Sequence, residues 1–423
     1  MNKISFLAAA ALIAVSLPQS VMAAEPVQVS TESELRQLAD EVNAGNECRG
    51  VTVTLTGDIQ LTGEWTPIGG IDNKFCGIFD GNGYTISGIA VSSTEWYQGL
   101  FGVIGSGGKV KNLTAEGSVN AGGAKFVGGI AGLVSNGGII EDCQNKVTVT
   151  GLMAGGVAGQ TDGTVQRCYN SGSVTAGGEA CQAGGICGNI SGSVADCYNT
   201  GAVSISGGTS SPVAGGICGW LSGTIENCYN IGSVSGASFN GLIVGNCNDT
   251  GVNVSGCFVP RGTGLTALGI RTNAQKTQMV PATVIPTADF SDFSRFTDAG
   301  WDSSVWAIAE CADFTRPVLI SAVEDGARFA AVMAEKLEEF TSESGEENER
   351  QASLWKVTVS DPVSTVTGLS IKMNGVASDK AVSTNISGSG SVSIGVVVNL
   401  LGADIDTITA VLDGRIDVAA AIE

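Results

Sequence analysis

A short phrase recurs through the middle of this chain and restricts the fold more than any other feature. Gly128-Gly129-Ile130-Ala131-Gly132 returns as Gly155-Gly156-Val157-Ala158-Gly159, Gly184-Gly185-Ile186-Cys187-Gly188 and Gly215-Gly216-Ile217-Cys218-Gly219, in steps of 27, 29 and 31 residues. Weaker copies flank the set at Gly99-Leu100-Phe101-Gly102 and Gly241-Leu242-Ile243-Val244-Gly245. A second phrase follows three of them: Cys168-Tyr169-Asn170, Cys197-Tyr198-Asn199 and Cys228-Tyr229-Asn230. Units this small cannot bury an apolar face alone, so they must stack as a solenoid. They consist of Gly, Val, Ile, Ser, Thr and Cys, with few of the Leu, Glu and Lys residues that helical repeats use, so the stacked elements are strands. We therefore expect an all-β parallel β-helix, one unit per coil, with equivalent residues about 4.8 Å apart along the axis.

Ladders of identical side chains follow from that spacing. Cys143, Cys168, Cys197, Cys228 and Cys257 share one repeat position, and Cys187 and Cys218 share another. Stacked equivalents rarely have disulfide geometry, so these read as buried thiols. Cys48 and Cys76 lie outside the repeats and are the candidate disulfide. Asn145, Asn170, Asn199 and Asn230 read as an amide ladder along a coil corner, with a polar binding strip as the alternative. Tyr169, Tyr198 and Tyr229 either cover that corner or form an exposed aromatic row on which a sugar ring or peptide could lie, so with Trp220 they are the candidate ligand surface. The units differ in length at 176–183 and 206–214, where insertions would gather on one face.

The segment 1–23 has a lysine near its start, an apolar run from Ile4 to Val15, Pro18, and the small-residue exit Val21-Met22-Ala23-Ala24, and reads as a secretory signal peptide. Residues 24–98 read as an N-terminal cap and first coils. Within them Thr31-Glu32-Ser33-Glu34 is a capping box, with Leu35, Leu38, Ala39 and Val42 at helical spacing behind it, so a short helix should cover the first coil. Phe75-Cys76-Gly77-Ile78-Phe79-Asp80-Gly81-Asn82-Gly83 carries a turn signal that makes Asp80 a turn residue rather than a catalytic carboxylate.

These motifs, in this order, resemble the GLUG-motif family of secreted bacterial proteins. The resemblance rests on Leu38-Ala39, Val42-Asn43, Trp65-Thr66-Pro67-Ile68-Gly69, Phe75 to Gly83, the glycine phrases, the Cys-Tyr-Asn phrases, and the ending Trp301, Trp306 and Pro317-Val318-Leu319, over about residues 31–320. The family is similar to the repeat regions of bacterial immunoglobulin A peptidases and to adhesin-like proteins. It implies a right-handed β-helix and a surface-interaction role, and no shared catalytic residue.

After the repeats at 99–257 we expect a closing cap at 258–320. An amphipathic helix from Glu324 to Phe340 and an acidic linker at 343–350 follow within 321–350. A small C-terminal β-sandwich at 351–423 has strands at 354–359, 366–373, 392–400 and 408–412.

The chain has no histidine, which removes zinc-peptidase helices, Ser-His-Asp triads and Cys-His pairs. With 21 basic and 41 acidic residues its net charge is −20, unsuited to nucleic acid or anionic membrane surfaces. Asp142 and Asp196 recur beside the ladder cysteines, with Glu226 within a residue of that position, and a recurring position reports architecture. The expected function is that of a noncatalytic, secreted or cell-surface protein that binds an extracellular glycan or protein and uses no cofactor or metal. A polysaccharide-active enzyme, whose unrelated carboxylates would gather at one point, and a purely structural scaffold are the alternatives.

Overall fold

In a computed structural model, the chain is described over residues 26–208, 210–248, 250–270, 280–321, 331–341, 351–360, 362, 366–373, 376–386, 390–400, 408–412 and 416–422. The leader segment 1–23 and the linker at 343–350 lie outside the described residues.

The described residues between 26 and 286, with 299–301, form a parallel β-solenoid capped by a helix. Its first sheet has nine strands, one per coil, running from Val27–Val29 through Thr52–Leu55, Ile78–Asp80 and onward to Asn253–Ser255. From the second strand onward one inward-pointing residue per strand, Val53, Phe79, Val110, Ile140, Val165, Val194, Ile225 and Val254, stacks in register as one buried column. A second sheet carries the glycine phrases and a third the Cys-Tyr-Asn phrases.

Steric room explains the glycines. In the unit Gly184 to Gly188, a Cβ on Gly184 would overlap the Cys187 carbonyl oxygen, and one on Gly188 would lie 2.7 Å from the Gly159 carbonyl oxygen and 2.9 Å from Met153 carbon. A Cβ on Gly185 would overlap the Gly216 carbonyl and the side chain of Asn199. The glycine phrase and the asparagine phrase are thus two sides of one contact across the coil interior. Asn145, Asn170, Asn199 and Asn230 are fully buried there, each Nδ2 donating to the next Oδ1 at 2.7, 2.7 and 2.8 Å.

The residue before each ladder cysteine turns the corner in the left-handed region: Asp142, Arg167, Asp196, Asn227 and Gly256 have φ of 53, 49, 51, 52 and 59°. Asp and Asn tolerate that conformation better than most residues, which accounts for recurring acids without any chemistry. The cysteine then points inward and donates to the carbonyl two residues back, at 3.1 Å for Cys143, Cys168 and Cys197, 3.2 Å for Cys228 and 3.4 Å for Cys257.

The helix Glu32–Asn43 begins at the Thr31 capping box and buries Leu35, Leu38, Ala39 and Val42 in the same core as the first coils. Cys48 and Cys76 correct one expectation, because both are buried free thiols. They sit on adjacent coils joined by backbone bonds, Cys76 N to Glu47 O at 2.8 Å, and the Cys48 thiol is turned to the Asn46 carbonyl at 3.7 Å. Burial, helped by Glu41 and Cys76, pushes the Cys48 thiol up to about 11. In the unfolded chain it ionises near 8.5, so its contribution to stability is complete below that pH and is lost as pH rises toward 11. Between pH 8.5 and 10 this one thiol should lower the unfolding free energy by about 2 kcal/mol. Denaturant titrations of the wild type and Cys48→Ser across that range should show a flatter dependence for the variant.

The second compact unit comprises 287–298 and 302–423. The span 258–320 is therefore not one cap: 258–286 and 299–301 belong to the solenoid, and 287–298 with 302–320 to this unit. The antiparallel pair Trp306–Glu310 and Thr315–Leu319 places Ala307, Ala309 and Val318 in a core shared with two four-stranded sheets. Gln351–Ser360, Val366–Met373, Ser391–Leu400 and Ile408–Leu412 match the expected strands of a small sandwich, and Trp355, Val357, Leu369, Ile371 and Ala410 lie in its core. The expected helix at 324–340 is corrected over its described part, since Ala331–Thr341 is a strand paired antiparallel with Gln351–Ser360, with a register shift between Lys336 and Glu338; 324–330 lie outside the described residues.

An aromatic cleft at the first coils

The tyrosine row forms, but not as a surface. Tyr169, Tyr198 and Tyr229 stack at 4.7 and 4.9 Å between ring centroids, and none is more than 3% exposed. Trp301 extends the row at 6.1 Å from Tyr229 and donates from Nε1 to the Gly256 carbonyl at 2.7 Å. These rings are therefore packing groups. Trp220 is half-buried on the second sheet, apart from the tyrosines on the third, and its Nε1 donates to Asn248 Oδ1 at 3.2 Å. The longer loops at 176–183 and 206–214 meet on adjacent coils, where Val213 N bonds Cys181 O at 3.1 Å and Ser210 Oγ bonds Glu179 at 3.2 Å. No side chain gathers the tyrosines, Trp220 and these loops into one site.

Open aromatic surface is instead found at the first coils, in a cleft of about 780 Å³ formed by 64–71 and 93–98 beside Asn43. That volume is within the range of about 300–1,000 Å³ typical of small-ligand sites. Among the described residues the exposed large apolar side chains are Ile71, Trp96 and Val284, and two of the three line this cleft, Trp96 at 58% and Ile71 at 48% exposure. A cluster of exposed apolar groups in a concavity marks an interaction site more often than scattered ones do.

Local structure holds the cleft open. Trp65 is buried and donates from Nε1 to the Leu100 carbonyl at 3.0 Å, which anchors the segment that follows. Asn43 at the helix end binds both sides of the next turn, accepting from Gly69 N at 2.8 Å and donating to the Pro67 carbonyl at 3.1 Å. Gly69 has φ of 75°, and a Cβ there would be 2.9 Å from Phe75 N, so the turn that presents Ile71 requires glycine. On the other wall Trp96 lies under the Lys125 ammonium, which is 5.0 Å from its ring and 5.0 Å from that of Phe126. Tyr97 stacks on Phe126 at 5.4 Å and 11°.

The polar lining is one-sided. Glu64 and Glu95 contribute carboxylates, and no basic residue lines the cleft. Glu64 is fixed by Ser92, whose N and Oγ reach its Oε1 at 2.5 and 2.8 Å. Gln98 also lines the cleft; it is 4% exposed and its Oε1 is buried without a hydrogen-bond partner. Asp80, by contrast, is a turn residue: despite the upward push of burial, Lys111, Asn112 and the Asn82 N–H hold its carboxyl below the usual range. Among the described residues no group of His, Cys, Asp or Glu is placed to hold a metal ion, and no helix is long and apolar enough to cross a membrane.

Periodicity passes over the cleft because it is built from two aperiodic segments, 64–71 and 93–98, that only coil stacking brings together. A signal was present in Ser92 to Trp96, a polar insertion ending in tryptophan between a strand and the first glycine phrase.

Comparison with known proteins places the fold. A crystal structure from Bacteroides ovatus, of a protein provisionally assigned as an immunoglobulin A1 protease, superposes with a TM-score of 0.53 at 19% identity, covering 70% of this chain and 93% of that one. At that identity the likeness concerns the β-solenoid fold alone. A glycine-rich protein of Evansella cellulosilytica, provisionally designated a membrane protein, is 37% identical over 108 residues, which is 23% of this chain and only 12% of that protein. No family model matches the chain.

Proposed function

We propose that this chain is a noncatalytic interaction protein of the secreted or cell-surface type, a member of the GLUG-like repeat group, whose β-helix holds the aromatic cleft toward an extracellular glycan or protein. The observation that carries this reading is the exposure of Trp96 and Ile71 together in one concavity on an otherwise tightly packed solenoid. A purely structural scaffold has no use for it. Export rests on the leader-like segment 1–23, and the net charge of −20 argues against nucleic acid and anionic membranes as partners. The absence of histidine and the use of the repeated acids as corner residues support a noncatalytic role.

Glu64 and Glu95 in the same cleft favour one second reading, a glycan-cleaving β-helix, since such enzymes work with paired carboxylates. Incubation with soluble polysaccharides separates the two: release of new reducing ends, abolished by Glu64→Gln or Glu95→Gln, would establish the enzyme. The interaction reading is tested by applying the mature protein and Trp96→Ala to arrays of glycans and extracellular proteins. Trp96 is surface-exposed, so the variant should keep wild-type stability within about 0.5 kcal/mol while losing at least about 1.4 kcal/mol of binding, tenfold in affinity. Equal binding by both proteins would rule out the cleft.

A further inference from the structure

The chemistry of the cleft narrows its ligand, on the reading above that this is where the protein binds. We infer that the cleft takes an uncharged oligosaccharide, its apolar ring face laid on Trp96 and its hydroxyls donating to Glu64 and Glu95.

Three observations converge on that class. The lining offers groups that match sugar hydroxyls: two carboxylates as acceptors, beside the hydroxyl side chains of Thr66, Ser93 and Tyr97. Sugar hydroxyls both donate and accept, so a hydroxyl-rich ligand suits both kinds of group. Next, two cations beside the cleft's residues are already engaged with aromatic faces, Lys125 over Trp96 and Phe126, and Arg36 over Trp65 at 5.4 Å while bonded to the Glu64 backbone carbonyl at 3.1 Å. With two carboxylates in the lining and a chain charge of −20, uronates and sulfated sugars meet repulsion rather than a partner. Finally, a concavity of about 780 Å³ encloses a few rings, whereas protein partners usually need a broader face of about 800 Å² on each side. An indole with most of its surface free, backed by a cation that fixes its orientation, is well suited to the C–H face of a pyranose.

The test is calorimetric titration of the full chain, Trp96→Ala and Glu95→Gln with neutral gluco-, manno- and galacto-oligosaccharides and with uronate oligomers of matched length. Saturable binding of a neutral oligomer is expected, weakened at least about tenfold in Trp96→Ala and roughly three- to tenfold in Glu95→Gln. Glu95 is exposed, so Glu95→Gln should melt with the wild type, and weaker binding there cannot be put down to misfolding. Uronate oligomers that bind as tightly as neutral ones would overturn the inference. So would failure of all oligosaccharides while a protein ligand still depends on Trp96, a result that leaves the interaction function standing. If no ligand of either class depends on Trp96, both the inference and the function proposed above fall.

Discussion

Gly185→Ala should fail to build the central coils, with a loss of at least about 3 kcal/mol and new protease sensitivity in the repeats. Overpacking costs about 1–3 kcal/mol where side chains can yield. Here the new methyl meets the Gly216 carbonyl and Asn199, and neither can move freely. The Gly185 and Ile186 amides are bonded to Gly215 and Ile217 of the next coil at 3.2 and 3.0 Å, and Asn199 is held in its ladder from both sides. Gly122→Ala is the matched control, since nothing lies within 4 Å of a Cβ there. It should change the melting temperature little. Thermal melts with limited proteolysis would decide it, and a Gly185→Ala protein as stable as the control would refute the packing account.

Asn199→Leu should cost about 3–5 kcal/mol despite its similar size and greater hydrophobicity. The substitution strands one N–H of Asn170, takes the Asn199 Nδ2 donor at 2.8 Å from the Gly201 carbonyl, and leaves Asn230 Oδ1 with only the Gly232 N–H at 3.1 Å. Unpaired buried polar groups cost about 1–3 kcal/mol each. The ladder also predicts an order of effects. Asn145 is its first rung, and its Oδ1 is buried without a partner. Asn145→Leu removes that unsatisfied atom along with its two donations, so it should cost clearly less than Asn199→Leu. Equal losses at the two positions would mean that the amides do not act as a directional chain.

How much of this is legible without coordinates follows from what periodicity can report. The repeats imply stacked coils, inward cysteines and the asparagine ladder, because a parallel solenoid puts equivalent residues side by side whatever surrounds them. The capping helix is equally local: Thr31 and Glu34 carry its start within four residues. Periodicity is silent about what covers an outer face. The tyrosines look like a candidate surface in the sequence, and the end of their row is covered at Tyr229 by Trp301, which lies 72 residues further on and outside the repeat. The cleft is hidden for the converse reason: Ile71 and Trp96 occupy interruptions of the pattern, where no ladder argument applies. In the C-terminal unit the composition of 331–341 favours a helix, and pairing with Gln351–Ser360 overrules it.

The central claim is that ligand recognition belongs to the first-coil cleft and not to the aromatic row. The most direct measurement is the affinity of Trp96→Ala and Tyr198→Phe for whichever extracellular ligand the wild-type protein binds, taken side by side below the melting temperature of both. The account predicts that Trp96→Ala loses binding at least about tenfold with its stability intact, and that Tyr198→Phe, altered only at a buried ring, binds as the wild type does. Loss of binding in Tyr198→Phe with Trp96→Ala unaffected would contradict it.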